Sequence, residues 1–168
     1  LKQVLIDPVK NIASTDKIFV SIACFCDPDV VDTVKDCLDK AGSPGRVEIG
    51  VCLQAKPSDV SYDALNEIAR VTVDRIDVTE ARGPIYARAR CEALMTDADY
   101  FLQIDCHSRF FPGWDEILIQ EFAKASELNE NAVLSHYPMN IKNLASSDHL
   151  DRLGHVTRYR YIEAAAIQ

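Results

Sequence analysis

The sequence predicts an α/β fold built on a mainly parallel, doubly wound sheet. Three observations predict it. Short apolar runs rich in β-branched and aromatic residues alternate with segments of helical periodicity along most of the chain. The first of these runs is apolar at nearly every position, as a strand covered on both faces must be. The connections between runs are short, with Pro or Asp opening helices and Gly closing them.

The elements follow in order. "KIFVSIACF" (17–25) reads as the first strand. Asp27 suits a helix N-cap and Pro28 the first helical position. The helix after them carries apolar residues at 30, 31, 34, 37, 38 and 41, and Gly42 supplies its stop. "RVEIGVCLQ" (46–54) is a second strand, and "PSDVSYDALNEIAR" a loop with a short helix. "VTVDRIDV" (71–78) alternates and reads as a third strand. Residues 83–99 read as a helix opened by Pro84, with Ala87, Cys91, Leu94, Met95 and Ala98 on its apolar face. "YFLQID" (100–105) is a fourth strand. A helix over 113–129 places Trp114, Leu118, Phe122 and Ala125 together, and Trp114 reads as core. "NAVLSHYPM" (131–139) reads as a fifth strand, followed by a weakly patterned tail. No linker or repeat divides the 168 residues, which suit one domain.

Composition narrows the function. Hydrophobic residues make up 48% and charged residues 26%, an ordinary globular balance. The net charge of −8 argues against a general nucleic-acid binder, which needs a basic face. No apolar run approaches the ~20 residues of a membrane helix. The first 17 residues lack the apolar block of a signal peptide and read as a lead-in segment. Six Cys are present without a C-x-x-C pair. They read as reduced, mostly buried thiols of a cytoplasmic protein. Serine-hydrolase, Walker and G-x-G-x-x-G patterns are missing.

In doubly wound sheets, ligands bind at the carboxyl ends of the strands. Three groups of residues there bear chemistry. Asp105 and His107 lie two apart at the end of the fourth strand, so on an extended chain both face one side. They read either as ligands of one divalent ion such as Mn²⁺ or as a turn-capping acid beside a hydrogen-bonding His. Arg82 and Arg88, with Arg90, surround a helix start at Gly83-Pro84. They read as an anion site or as a solvated basic face, and Arg88 and Arg90 cannot both point inward. Asp27 reads as a ligand contact or simply as a cap. His136, His149 and His155 are weaker candidates, as is stacking by Phe110 and Phe111.

Taken together, Ser21-Ile22-Ala23, Asp27-Pro28, Gly83-Pro84 with Ala87-Arg88, Leu102 to His107, Arg109-Phe110 and Trp114-Asp115 stand in a familiar order. The stretch from Lys17 to Ile119 resembles the GlcNAc-transferase family typified by the cytoplasmic enzyme that glycosylates hydroxyproline. The resemblance implies a GT-A fold, with a nucleotide-diphospho-sugar at the strand tips. It implies a retaining transfer of GlcNAc, or a related sugar, from a UDP-sugar to a protein or glycan hydroxyl. It further implies that Asp105 and His107 bind Mn²⁺ or Mg²⁺. Ser21, Ala23, Asp27, Arg82, Gly83, Arg88 and Asp105 become nucleotide-sugar contacts. Members continue for about a hundred residues more, so residues 1–168 are expected to be a nucleotide-sugar-binding domain without the acceptor half. Where relatives place Tyr-Arg, this chain has Phe25-Cys26. That substitution keeps a second reading open, a catalytically inactive GT-A-like binding domain. A metal phosphohydrolase is a third reading, and it needs a second acidic cluster.

Overall fold

A computed structural model of the chain describes residues 16–135. Four parallel strands form one sheet in the order β3-β2-β1-β4: β1 (Ile18–Phe25), β2 (Val47–Gln54), β3 (Val71–Ile76) and β4 (Tyr100–Asp105). The chain walks outward from β1 to β3, then returns to the other side of β1 for β4. The order in which strands are added therefore reverses between β1 and β4. A crevice opens at such a reversal, beyond the carboxyl ends of the two strands.

Helices cover both faces, as the continuous apolar runs require. On one face, α1 (Val30–Lys40) and α3 (Trp114–Leu128) bury Val30, Val34, Cys37, Trp114 and Ile119 against Ile18, Val20, Ile22 and Cys24 of β1 and the matching residues of β2. On the other, α2 (Pro84–Glu92) packs Ala87 and Cys91 against Cys52 and Ile76. Fully burying an aliphatic side chain contributes roughly 1.5–3 kcal/mol, against a net 0.5–1.5 for a typical hydrogen bond. The valines of α1 thus dominate its attachment, and its hydrogen bonds set the register. Gly50 of β2 allows a close approach: a Cβ there would meet the Phe19 ring at 2.4 Å. No helix among the described residues is long and apolar enough to cross a membrane.

Several expectations need correction. The first helix starts at Val30, with Asp29 rather than Asp27 at the cap position. The third strand stops at Ile76, and 78–80 form a 3-10 turn. Helix α2 ends at Glu92, seven residues early. Beyond it, Asp97 and Asp99 turn to pair with Lys17, whose ammonium and backbone N–H donate to them at 2.7 and 2.8 Å. The fifth strand is not formed over 131–135, a turn and irregular chain in which Val133 is exposed. Among the described residues, Val133 and Leu134 are left exposed rather than covered as strand residues would be. Residues 136–139, with His136, His149 and His155, lie outside the described residues.

Candidate functional site at the β1–β4 crevice

The tips of β1 and β4 bring the chemistry-bearing residues together. Ala23 stands opposite Asp105 in register, so the two strands end side by side. After Phe25, Cys26 takes a left-handed conformation (φ 49°) and sends the chain across to Asp27. Asp27 caps its own turn, since Oδ1 accepts the Asp29 N–H at 3.0 Å. Its second oxygen is spent over a long range: Oδ2 accepts from His107 Nδ1 at 3.2 Å and from the Cys106 thiol at 3.7 Å. The cap reading of Asp27 accounts for one carboxylate oxygen and the site for the other.

These contacts set the protonation of the pair. The Asp27 hydrogen bond pushes the His107 imidazole above its ordinary value, against a smaller opposing effect of burial. Burial pushes the Asp27 carboxyl up, but donation from the Asp29 N–H, His107 and Cys106 outweighs it and holds the group below the usual range. With Nδ1–H given to a carboxylate, the other nitrogen, Nε2, keeps its lone pair for a ligand, as in carboxylate–histidine–metal arrangements.

Asp105 ends β4 and lies apart from that cluster. Its carboxylate is 3.9 Å from the Arg88 guanidinium, and the two side chains are 59% and 42% exposed. That distance is an ion pair without a hydrogen bond, so each partner remains open to a ligand. The Asp105 carboxylate and the His107 imidazole, 62% exposed, fit a divalent ion in donor type and in access from solvent. The chain turns immediately after Asp105, so strand alternation does not carry through to His107. Cys106 turns inward and is 7% exposed, which makes it part of the packing.

The arginines divide by role. Arg90 forks onto Asp74 of β3 at 2.5 and 2.7 Å and stacks on Tyr86, so it ties α2 to the sheet. The Arg82 guanidinium also lies over the Tyr86 ring, 5.4 Å from its centroid. Gly83 has φ 87° and ψ 176°, a conformation available essentially to glycine alone, and Pro84 begins α2. Ser21 is buried in the middle of β1 and Ala23 is partly buried.

Sequence reasoning assigned no anchoring role to the residues that hold this site in place. Thr33 of α1 is fully buried. Its hydroxyl donates to the Cys106 carbonyl at 2.8 Å and accepts from the Ser108 N–H at 3.0 Å and from Arg109 at 3.1 Å. Arg109 also forks onto Asp29 at 2.6 and 3.0 Å. Asp36 accepts the Phe110 N–H, the Cys37 carbonyl accepts the Trp114 indole N–H, and the Lys40 carbonyl accepts the Gly113 N–H. Asp115, fully buried, accepts the N–H groups of Gly42 and Ser43 at 2.6 and 3.0 Å. Arg109-Phe110 and Trp114-Asp115 thus fasten the 106–115 segment along one face of α1. A cleft of about 300 Å³ lined by Phe19, Glu48, Arg70 and Thr72 lies at the opposite ends of the strands.

The parallel sheet, its helical cover and this crevice define a GT-A-type α/β fold. The model of the glycosyltransferase (GlcNAc) family matches residues 17–69 and 63–158, and the chain belongs to that family. Among solved structures it is similar to TarS 1–349 of S. aureus, with a TM-score of 0.51 and 11% identity over 68% of this chain. It is also matched, at a TM-score of 0.49, 11% identity and 71% coverage, to TarS 1–349 in complex with UDP-GlcNAc. The chain spans 33% and 37% of those two proteins. No curated protein sequence matches it.

Proposed function

We propose that this chain is the nucleotide-sugar-binding part of a metal-dependent glycosyltransferase. It would move GlcNAc, or a related sugar, from a UDP-sugar to a protein or glycan hydroxyl with retention. The observation that carries this reading is the position of Asp105 and His107 at the sheet's reversal point, with Arg88 beside Asp105, in a GlcNAc glycosyltransferase family chain. The likeness of its motifs to the hydroxyproline-glycosylating enzymes favours UDP-GlcNAc as donor. Six free thiols favour the cytoplasm.

Breaking a sugar–phosphate bond leaves negative charge on the departing diphosphate. Asp105 and His107 would hold Mn²⁺ or Mg²⁺, which when bound supplies positive charge against those oxygens. Arg88, only loosely paired, can turn its fork from Asp105 to a phosphate oxygen. The first turn of α2 offers unpaired N–H donors on the same segment. Asp27 holds the His107 ring in one orientation.

Calorimetric titration with UDP in the presence of Mn²⁺ tests the reading. Binding is expected, dependent on the ion and lost in Asp105→Ala. Absence of UDP binding by folded protein, or binding unchanged in Asp105→Ala, would sink it. The inactive-domain reading draws on Phe25-Cys26, both exposed at the β1 tip where relatives place Tyr-Arg. UDP binding without any hydrolysis or transfer of UDP-GlcNAc supports that second reading.

A further inference from the structure

We propose that Asp27, Cys106 and His107 form a site for a thiophilic divalent cation of the Zn²⁺ class, an alternative engagement of His107 through Nδ1 rather than with Asp105. The proposal rests on geometry alone and does not depend on sugar transfer. Among the described residues, these three are the one group of metal-ligating side chains whose donor atoms converge, all within 4.8 Å of one another. The edges of the triangle are 3.2 Å from Asp27 Oδ2 to His107 Nδ1, 3.7 Å from Oδ2 to Cys106 Sγ and 3.9 Å from Sγ to Nδ1.

Those edges match a metal centre. Zinc binds sulfur at about 2.3 Å and nitrogen or carboxylate oxygen at about 2.0–2.2 Å, so tetrahedral angles put the donors about 3.4–3.6 Å apart. Each observed edge lies within a few tenths of an ångström of that range. The donors come from two backbone segments, the β1–α1 loop and the β4 tip. Their backbone is fixed independently, Asp27 by its turn to Asp29 and Cys106 by Thr33. The triangle is therefore held by more than its own hydrogen bonds. His107 is the open side, which provides entry for the ion and a fourth position for water.

Binding balances simply. The Cys106 thiol releases its proton to solvent and the thiolate takes the ion. His107 moves its proton from Nδ1 to Nε2 and offers Nδ1 instead. The thiolate sets the preference, because sulfur favours Zn²⁺, Co²⁺ and Cd²⁺ over the oxygen-seeking Mn²⁺ and Mg²⁺.

Co²⁺ is the probe. Reduced, metal-stripped protein titrated with Co²⁺ should develop a thiolate-to-cobalt charge-transfer band that saturates at one equivalent. Zn²⁺ should abolish the band, and excess Mg²⁺ should leave it. Cys106→Ser should remove it, whereas Asp105→Asn and Cys26→Ser should retain it. His107→Ala changes an exposed ring and keeps the fold, and it should weaken Co²⁺ binding by at least about tenfold. No band, or a band that persists in Cys106→Ser, overturns the proposal. Should Cys106→Ser not fold, undiminished Co²⁺ affinity in His107→Ala overturns it, and weakened affinity supports it. Loss of UDP binding with the Co²⁺ band intact would count against the transferase reading only.

Discussion

The hydroxyl of Thr33, in the first turn of α1, lies 2.8 Å from the backbone carbonyl of Cys106 at the tip of β4. This bond joins a helix to the loop that bears His107. The same hydroxyl accepts from Ser108 and Arg109, so one buried oxygen serves three partners.

Thr33→Val keeps the shape and removes the oxygen. It leaves the Cys106 carbonyl and the Ser108 N–H without that partner, and should cost about 1–3 kcal/mol. Urea unfolding checks the figure. UDP binding in Mn²⁺ should weaken as well, because the ring of His107 loses its anchored backbone.

The apo protein should show a raised His107 pKa by NMR, above the ordinary value of about 6.5. Asp27→Asn should bring it back down. The sign for stability follows from the direction of the shift. A raised folded-state value means that the pair's contribution is full below about pH 6.5 and fades as pH rises through the folded value. The destabilisation caused by Asp27→Asn should accordingly be larger at pH 5.5 than at pH 8, and urea unfolding of both proteins at the two pH values checks it.

Gly83→Ala places a Cβ on a backbone at φ 87° and ψ 176°. Nothing crowds that position, so the cost is conformational, on the order of 1–3 kcal/mol. Gly50→Ala fails for the other reason. Its Cβ would press on the buried Phe19 ring, at a cost of roughly 1–3 kcal/mol from overpacking. Thermal unfolding of both variants tests the two costs separately.

Arg88 and Arg90 should part company under mutation. Arg90→Ala cuts the fork to Asp74 and should lower Tm with little effect on UDP affinity beyond that. Arg88→Ala should leave Tm nearly unchanged and weaken UDP binding. The reverse pattern would reassign the anion site to Arg90.

Strands were the most legible part of the sequence. Tyr100–Asp105 was bounded to the residue, because its apolar run ends in an acid at a turn. The alternation of strand and helix also predicted the two-faced cover. Less legible were features decided across the sheet. Asp27 looks like a helix cap in local sequence, and only the folded chain shows His107, eighty residues away, taking its second oxygen. Helical spacing alone could not reveal that Lys17 draws the chain out of α2 at Asp97 and Asp99. Arg109 and Trp114 could be quoted as motif residues, but their work as fasteners to Asp29 and Cys37 depends on α1 lying alongside. Cys106 read only as one of six mostly buried thiols, because nothing in its local sequence points to Asp27.

The fastening of 106–115 along α1 has a consequence for local motion. From Asp29 to Ser43, nearly every turn of the helix and its end holds a group from that segment. Neither partner can open alone without breaking several bonds at once. Helix and loop therefore form a single cooperative opening unit. In hydrogen exchange, the amides of Ser108, Phe110 and Gly113 should surrender their protons together, at one shared rate set by the detachment of α1.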